Sequence, residues 1–124
     1  TCCRAVLGRP VAMNQNRVFD HLYIQDLAEV VRWFLDASPR FNTYNVCSGE
    51  ARDFLSLAQA VVRVSGKPLE IVVKNPGLGT EYSGDNARLL AELGAFRFTP
   101  IDQAIAAVYA WHDAHRDLLN PDHL

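Results

Sequence analysis

No stretch of the chain approaches the roughly 20 consecutive apolar residues that a bilayer-spanning helix needs, and the opening TCCRAVLGRP has no apolar centre of the kind a secretory leader carries. A membrane partner is excluded on this reading, and a cytoplasmic location is expected. Blocks of like charge are also missing. Twelve basic residues stand against fourteen acidic ones, for a net charge of -2, which leaves no electrostatic footprint for nucleic acid. The three cysteines, Cys2, Cys3 and Cys47, are too few for a disulfide framework, and a bridge between the adjacent Cys2 and Cys3 would be strained. Cys47, at the end of the run from Tyr44, reads as a buried reduced thiol rather than a nucleophile.

What is present fits one domain. With 124 residues, 49% of them hydrophobic, the chain can fill a single core and is too short for two ordinary ones. The start at Thr1 does not look like a designed beginning. Ala5 to Met13 reads as a piece of helix running through Gly8 and Pro10 into a short extended stretch, and as the interior of something longer. After a polar loop at Asn14 to Arg17, residues 20 to 24 form a strand. Asp26 stands at an N-cap position with Glu29 three residues on, so a helix is expected from about Leu27 to Ala37. Leu27, Val30, Val31, Phe34 and Leu35 recur at helical spacing as one buried stripe. Trp33 points to another side of that helix, either under a neighbouring element or towards a surface that something else covers.

Asn42 to Cys47, rich in aromatic and β-branched residues, is the second expected strand, stopped by the turn pair Ser48-Gly49. A helix is expected over Phe54 to Ser65 with Gly66 after it, then a third strand over Leu69 to Val73 and a loop through the Gly- and Pro-rich NPGLGTEYSG of Asn75 to Gly84. Asp85 or Asn86 caps a short helix over Ala87 to Leu93, closed by Gly94. Thr99-Pro100 starts a last helix that runs towards Pro121. Strands separated by helices of this length imply parallel pairing. The expected fold is α/β: a small three-stranded, mainly parallel sheet with about four helices, residues 1–124 as a single domain.

Three ordered runs then resemble the NAD-dependent epimerase/dehydratase family, the extended short-chain dehydrogenase/reductases that act on nucleotide sugars. Phe19-Asp20-His21-Leu22-Tyr23-Ile24-Gln25-Asp26-Leu27 is similar to the family's Arg-Asp-Phe-Ile-Tyr-Val-Asp-Asp-Leu. Tyr44-Asn45-Val46-Cys47-Ser48-Gly49-Glu50 is similar to its Tyr-Asn-Val-Gly-Ser-Gly-Glu, and Tyr82-Ser83-Gly84-Asp85 before Glu92-Leu93-Gly94 to its late Tyr-x-x-Asp stretch. The resemblance covers about Gly8 to His112 and implies the C-terminal, substrate-binding half of such an enzyme, resembling its C-terminal lobe, with the dinucleotide-binding half absent. It implies NAD(P) for the parent enzyme, none in this chain, and a nucleotide sugar as ligand.

The departures are equally specific. A pyrophosphate-binding turn needs closely spaced glycines between a strand and a helix N-terminus. Gly77 and Gly79 are the only close pair, and they read as a flexible loop. The family's Tyr-x-x-x-Lys is missing: Leu27, Ser48, Asn86 and Asp113 stand four residues after Tyr23, Tyr44, Tyr82 and Tyr109. Phe19 replaces the phosphate-reaching arginine, and Thr80 and Glu81 replace a basic pair, which removes bidentate phosphate recognition. Arg17, Tyr82 and Arg88 remain as the candidate substrate contacts, and no catalytic or metal-ligating residue is assigned. His112 and His115, at i, i+3, have no third ligand nearby. Ser48 lacks the flanking glycines of a nucleophile elbow. Asp20 and Asp26 read as structural rather than as an acid/base pair. The expectation is a non-catalytic substrate lobe whose partner is the missing domain or a second copy. The alternative is a free-standing truncated protein acting as a binding or oligomerising module.

Overall fold

A computed structural model describes residues 1–123. The order of elements is α1 (Cys2–Val6), β1 (Val11–Asn16), β2 (Val18–Asp20), α2 (Ile24–Asp36), β3 (Ala51–Asp53), α3 (Phe54–Ser65), β4 (Ile71–Leu78), α4 (Ala87–Leu93) and α5 (Ile101–Ala114). The fold is α/β, with five α-helices and a small parallel sheet. That sheet pairs β1 with β4, while β2 pairs antiparallel with β3.

The helices with complete local end signals fall where the sequence places them. Asp53 accepts a hydrogen bond from Ser56 N at 3.0 Å at the start of α3, and Gly66 ends it in the left-handed region at φ 63. Helix α4 begins after Asn86, with the Asp85 carboxylate accepting from Ala87 N at 2.8 Å, and closes on Gly94. Helix α5 starts at Ile101 as expected but stops at Ala114, well short of Pro121.

The strands differ more. Asn14 to Asn16 belong to β1 rather than to a loop, because the β4 ladder satisfies their backbone and their polar side chains point to partners outside the core. Strand β4 runs on through Pro76 and Gly77, also expected as loop. The register slips between Gln15 and Asn16, so that Gln15 faces Asn75 and Asn16 faces Leu78, and this irregularity accommodates the proline that cannot donate to a ladder. Residues 20 to 24 do not form one strand. Pairing with the short β3 ends at Asp20, and Ile24 is already helical. Residues 42 to 47, expected as a strand, pair with no strand among the described residues. The sheet therefore splits into two pairs instead of forming one three-stranded unit.

Helix α2 corrects two further expectations. Asp26 is not its N-cap. It lies in the first turn, 7% exposed, and its carboxylate accepts from Thr99 N at 2.8 Å and Thr99 Oγ1 at 2.7 Å, a tertiary pairing that displaces the local one. Val31 and Leu35 are not in the buried stripe but exposed, and Val30 alone of that set is sealed. Trp33 packs edge-on against Phe34 at 4.9 Å and shares a shallow depression with Leu93 and Phe96.

The core is small. Ala5, Ala60, Val61 and Ile105 join α1, α3 and α5, with Leu57, Leu69, Ile101 and Tyr109 around them. The largest fully buried side chains are Leu89, Val6, Val11 and Val30. Lys67 Nζ donates to Ala5 O at 2.9 Å and Val6 O at 2.7 Å, closing the C-terminal carbonyls of α1 with a positive charge. Replacing Asp26→Ala strands both Thr99 donors; the expected loss is about 2–4 kcal/mol in urea unfolding, and an unchanged midpoint would refute the clamp.

Candidate functional site

A cavity of about 800 Å³ opens beside β1 over helices α3 and α5. Met13, Gln15, Arg17, Phe19, His21 and Phe54 line it. Arg17 follows β1 directly and is exposed. Its side chain lies against Gly79, where a Cβ would fall 2.8 Å from Arg17 Cγ, so this approach needs a glycine. Among the described residues Arg17 makes no ion pair, which leaves its guanidinium available to an anion.

Aromatic rings form the wall next to it. Phe19 stacks on Phe54 at 5.4 Å, His21 lies 5.5 Å from Phe54, and Phe19 is 6.5 Å from Tyr82. His21 Nε2 is buried without a hydrogen-bond partner among the described residues. Burial holds the His21 imidazole below the ordinary histidine range, against the opposing pull of the Arg52 backbone and the Asp20 charge. The ring is therefore neutral at pH 7.

A second cavity of about 430 Å³ is bordered by Asp20, Tyr44, Cys47, Tyr82 and Asp85. Tyr82 is 72% exposed, and its backbone is tied to β2 by Tyr82 N to Val18 O at 3.0 Å and Asp20 N to Tyr82 O at 3.2 Å. Asn45 and Asp85 also border a smaller hollow of about 160 Å³ that contains Arg88. Arg88 is already engaged: Nη1 donates to Thr43 O at 3.2 Å and the guanidinium lies 4.7 Å from the centre of the Phe41 ring. Of the three candidate contacts, Tyr82 and Arg88 thus line two neighbouring hollows that meet at Asn45 and Asp85, and Arg17 stands in the other cavity beside Phe19. Gly77 lies in β4 rather than in a flexible loop.

The turn at Ser48-Gly49 is fastened by Asp20, whose carboxylate accepts from Ser48 N at 2.8 Å, Ser48 Oγ at 2.7 Å and Gly49 N at 2.8 Å. Ser48 is a structural hydroxyl. Cys47 is a half-buried free thiol, pushed up by burial and by the Asp20 charge. Its Sγ sits where a Gly84 Cβ would fall, 2.7 Å away. Tyr44 donates to Glu92 Oε1 at 2.6 Å; this bond holds the Glu92 carboxyl below its usual range, while burial and the same carboxylate raise the Tyr44 phenol. His112 Nε2 lies 3.5 Å from Cys3 Sγ, whereas His115 stacks on Trp111 at 4.4 Å and turns Nδ1 to that residue's carbonyl. The two imidazoles are engaged separately. Reading by sequence missed His21 and the Asp20 clamp. His21 was visible as the residue that departs from phenylalanine in the run beginning at Phe19; nothing local marks the partners of Asp20.

No protein-family model matches the chain. It is 28% identical over 123 residues to dTDP-glucose 4,6-dehydratase of Xanthomonas campestris pv. campestris, covering 88% of this chain and 35% of that enzyme. Among solved structures, a GDP-L-fucose synthetase from Naegleria fowleri matches with a TM-score of 0.79 at 19% identity, over 96% of this chain and 38% of that one. The dTDP-glucose 4,6-dehydratase of Bacillus anthracis str. Ames, solved in complex with NAD, matches with a TM-score of 0.74 at 16% identity, over 97% and 40%. The chain resembles part of an NAD-dependent epimerase or dehydratase. It spans about a third of the length of the curated relatives it matches.

The neutral state of His21 gives a pH dependence. Its folded pKa is below the unfolded value, so the stability it contributes is full above about pH 6.5 and is lost as pH falls through the lowered folded value. Between about pH 7.5 and about pH 5.5 the urea midpoint should fall, and His21→Phe, which keeps the ring beside Phe54, should fall less. Equal slopes in both proteins would show that His21 carries none of the effect.

Proposed function

We propose that the chain is the substrate-binding lobe of a nucleotide-sugar epimerase, dehydratase or reductase, not catalytic by itself, whose NAD(P)-binding domain lies in another segment of a longer polypeptide. The observation that carries this reading is the partial match. The chain covers 35% of a dehydratase, while its own sequence contains neither the glycine turn for a dinucleotide nor a Tyr-x-x-x-Lys pair. Arg17, which lines an aromatic-walled cavity and makes no ion pair among the described residues, supports a role in holding a phosphorylated ligand. On this reading residues 1–124 are one domain, Arg17 meets the diphosphate, and Tyr82 and Arg88 contribute from the two neighbouring hollows. A cytoplasmic location goes with it; among the described residues no helix is long and apolar enough to cross a membrane.

A second reading, a free-standing module that binds or self-associates without chemistry, is favoured by Phe19, Thr80 and Glu81 standing where the family carries cationic residues. The mass of the native gene product separates the two. More than twice 13.8 kDa is expected, and a product near that mass would leave the second reading. In the longer polypeptide, Arg17→Ala should weaken binding of dTDP-glucose, UDP-glucose or GDP-mannose, whichever binds, by about tenfold. Unchanged affinity would remove Arg17 from the site.

A further inference from the structure

Two glycines stand at the end of β4, Gly77 within it and Gly79 just beyond it, and they are glycines for different reasons. Gly77 has a φ of 81, a conformation that side chains resist, while a Cβ there would meet no atom within 4 Å. Its own backbone requires the glycine. Gly79 is the reverse case. Its φ lies outside the left-handed region, so the backbone would admit alanine, and glycine gives up ordering entropy there for no conformational reason.

What a side chain at position 79 would meet supplies the reason. A Cβ would fall 2.8 Å from Arg17 Cγ, 3.0 Å from Arg17 Nε and 2.8 Å from Gln15 Oε1. The Gln15 oxygen is the far end of a flexible side chain and can turn away. Arg17 Cγ cannot move alone: displacing it changes χ1, and the guanidinium swings with it. Neither backbone can give way instead. Gly79 N donates to Asn16 O at 2.8 Å, Asn16 is held by Asp53 and by Leu55 N, and Arg17 O accepts from Phe54 N at 3.0 Å. Among the described residues Arg17 is also the only arginine or lysine that lines the cavity of about 800 Å³. Where its guanidinium points decides whether that cavity offers an anion a cationic side chain of this kind.

We propose that Gly79 is a positioning residue of the ligand site: the room left by its missing side chain is where Arg17 lies, and this aims the guanidinium at the phosphate groups of the ligand. Gly79 itself touches no ligand. The inference rests on the functional reading above and extends it, since recognition of the anion then depends on a residue that has no functional group.

A double-mutant cycle on the native longer polypeptide tests it. Gly79→Ala should weaken binding of dTDP-glucose, UDP-glucose or GDP-mannose, whichever binds, by about tenfold, as Arg17→Ala does. In the Arg17→Ala background the same change should alter affinity by less than about twofold, because alanine has no Cγ to displace. The thermal midpoint of Gly79→Ala should stay at or above that of the unaltered polypeptide, whereas Gly77→Ala should lower it. Unchanged affinity in Gly79→Ala, or an equal loss with and without the Arg17 side chain, overturns the positioning role and spares the functional reading. A midpoint that falls as far as that of Gly77→Ala shows that the backbone needs the glycine and overturns it as well. A longer polypeptide that binds none of the three nucleotide sugars, or a native product near 13.8 kDa, overturns both.

Discussion

Three donors converge on the carboxylate of Asp20: Ser48 N, Ser48 Oγ and Gly49 N, all within 2.8 Å. Asp20 ends β2, and its backbone N–H also reaches Tyr82 O at 3.2 Å, so one residue ties together three segments far apart in sequence. The turn it holds is confined from the other side as well. Gly49 adopts φ 82, and a Cβ there would lie 3.1 Å from Asn86 Nδ2, whose amide donates to Cys47 O at 2.8 Å. Any side chain at position 49 meets both the strained backbone and this amide. Asp20 and Tyr82 border the same hollow, together with Cys47 next to the fastened turn. An ionised acceptor also fits the energetics, since bonds to a charged oxygen are about twice as strong as neutral ones.

The rest of the molecule uses the same device, because its core cannot do the work alone. The buried hydrophobic residues are aliphatic, four of them alanines, and include no aromatic ring. Asp26 fastens the start of α2 to the chain ahead of α5 through Thr99. Asn16 links β1 to Asp53 and to Leu55 N, joining the cap of α3 to the parallel sheet, and Asp53 is thereby held below the usual carboxylate range, chiefly by its bond to Ser56. Glu92 takes Tyr44 and Arg40 N and pins residues 40 to 44 to α4. Polar clamps of this kind specify geometry strongly, since each unpaired partner in a low-dielectric site is costly. The aromatic side chains released from core duty form the walls and rims of the open cavities.

Local chemistry was legible and partnership was not. The bounds of α3 and α4 are set by groups within a turn of each end, Asp53, Gly66, Asp85 and Gly94, and such signals act wherever the chain goes. The spacing of α2 was equally visible, yet it could not tell which apolar positions meet a neighbour: Val30 does, while Val31 and Leu35 do not. The apparent capping box at Asp26 and Glu29 shows the same limit. Asp26 turns to Thr99, and Glu29 pairs with Arg32 at 2.9 Å on the solvent side. Among the candidate contacts, Arg17 stands two residues before the resembling run at Phe19 and Tyr82 inside another, so their positions were legible, while the neutral, half-buried state of His21 depends on Phe54 and the β3 backbone, which no spacing rule brings together.

By itself the sequence determined the α/β class, the extents of α3 and α4, and the likeness to nucleotide-sugar epimerases and dehydratases, because periodicity, caps and ordered short runs are written along the chain. Tertiary structure decided how far β1 and β4 extend, that residues 43–47 pair with no strand among the described residues, which face of α2 is covered and which side chains meet at the cavities. Those outcomes depend on partners distant in sequence: ladder bonds that carry Asn14 to Asn16 and Pro76 to Leu78 into a sheet, and carboxylates whose strongest donors lie 28 and 73 residues away. A strand needs a neighbour and a buried face needs a cover, and neither is a property of the segment alone.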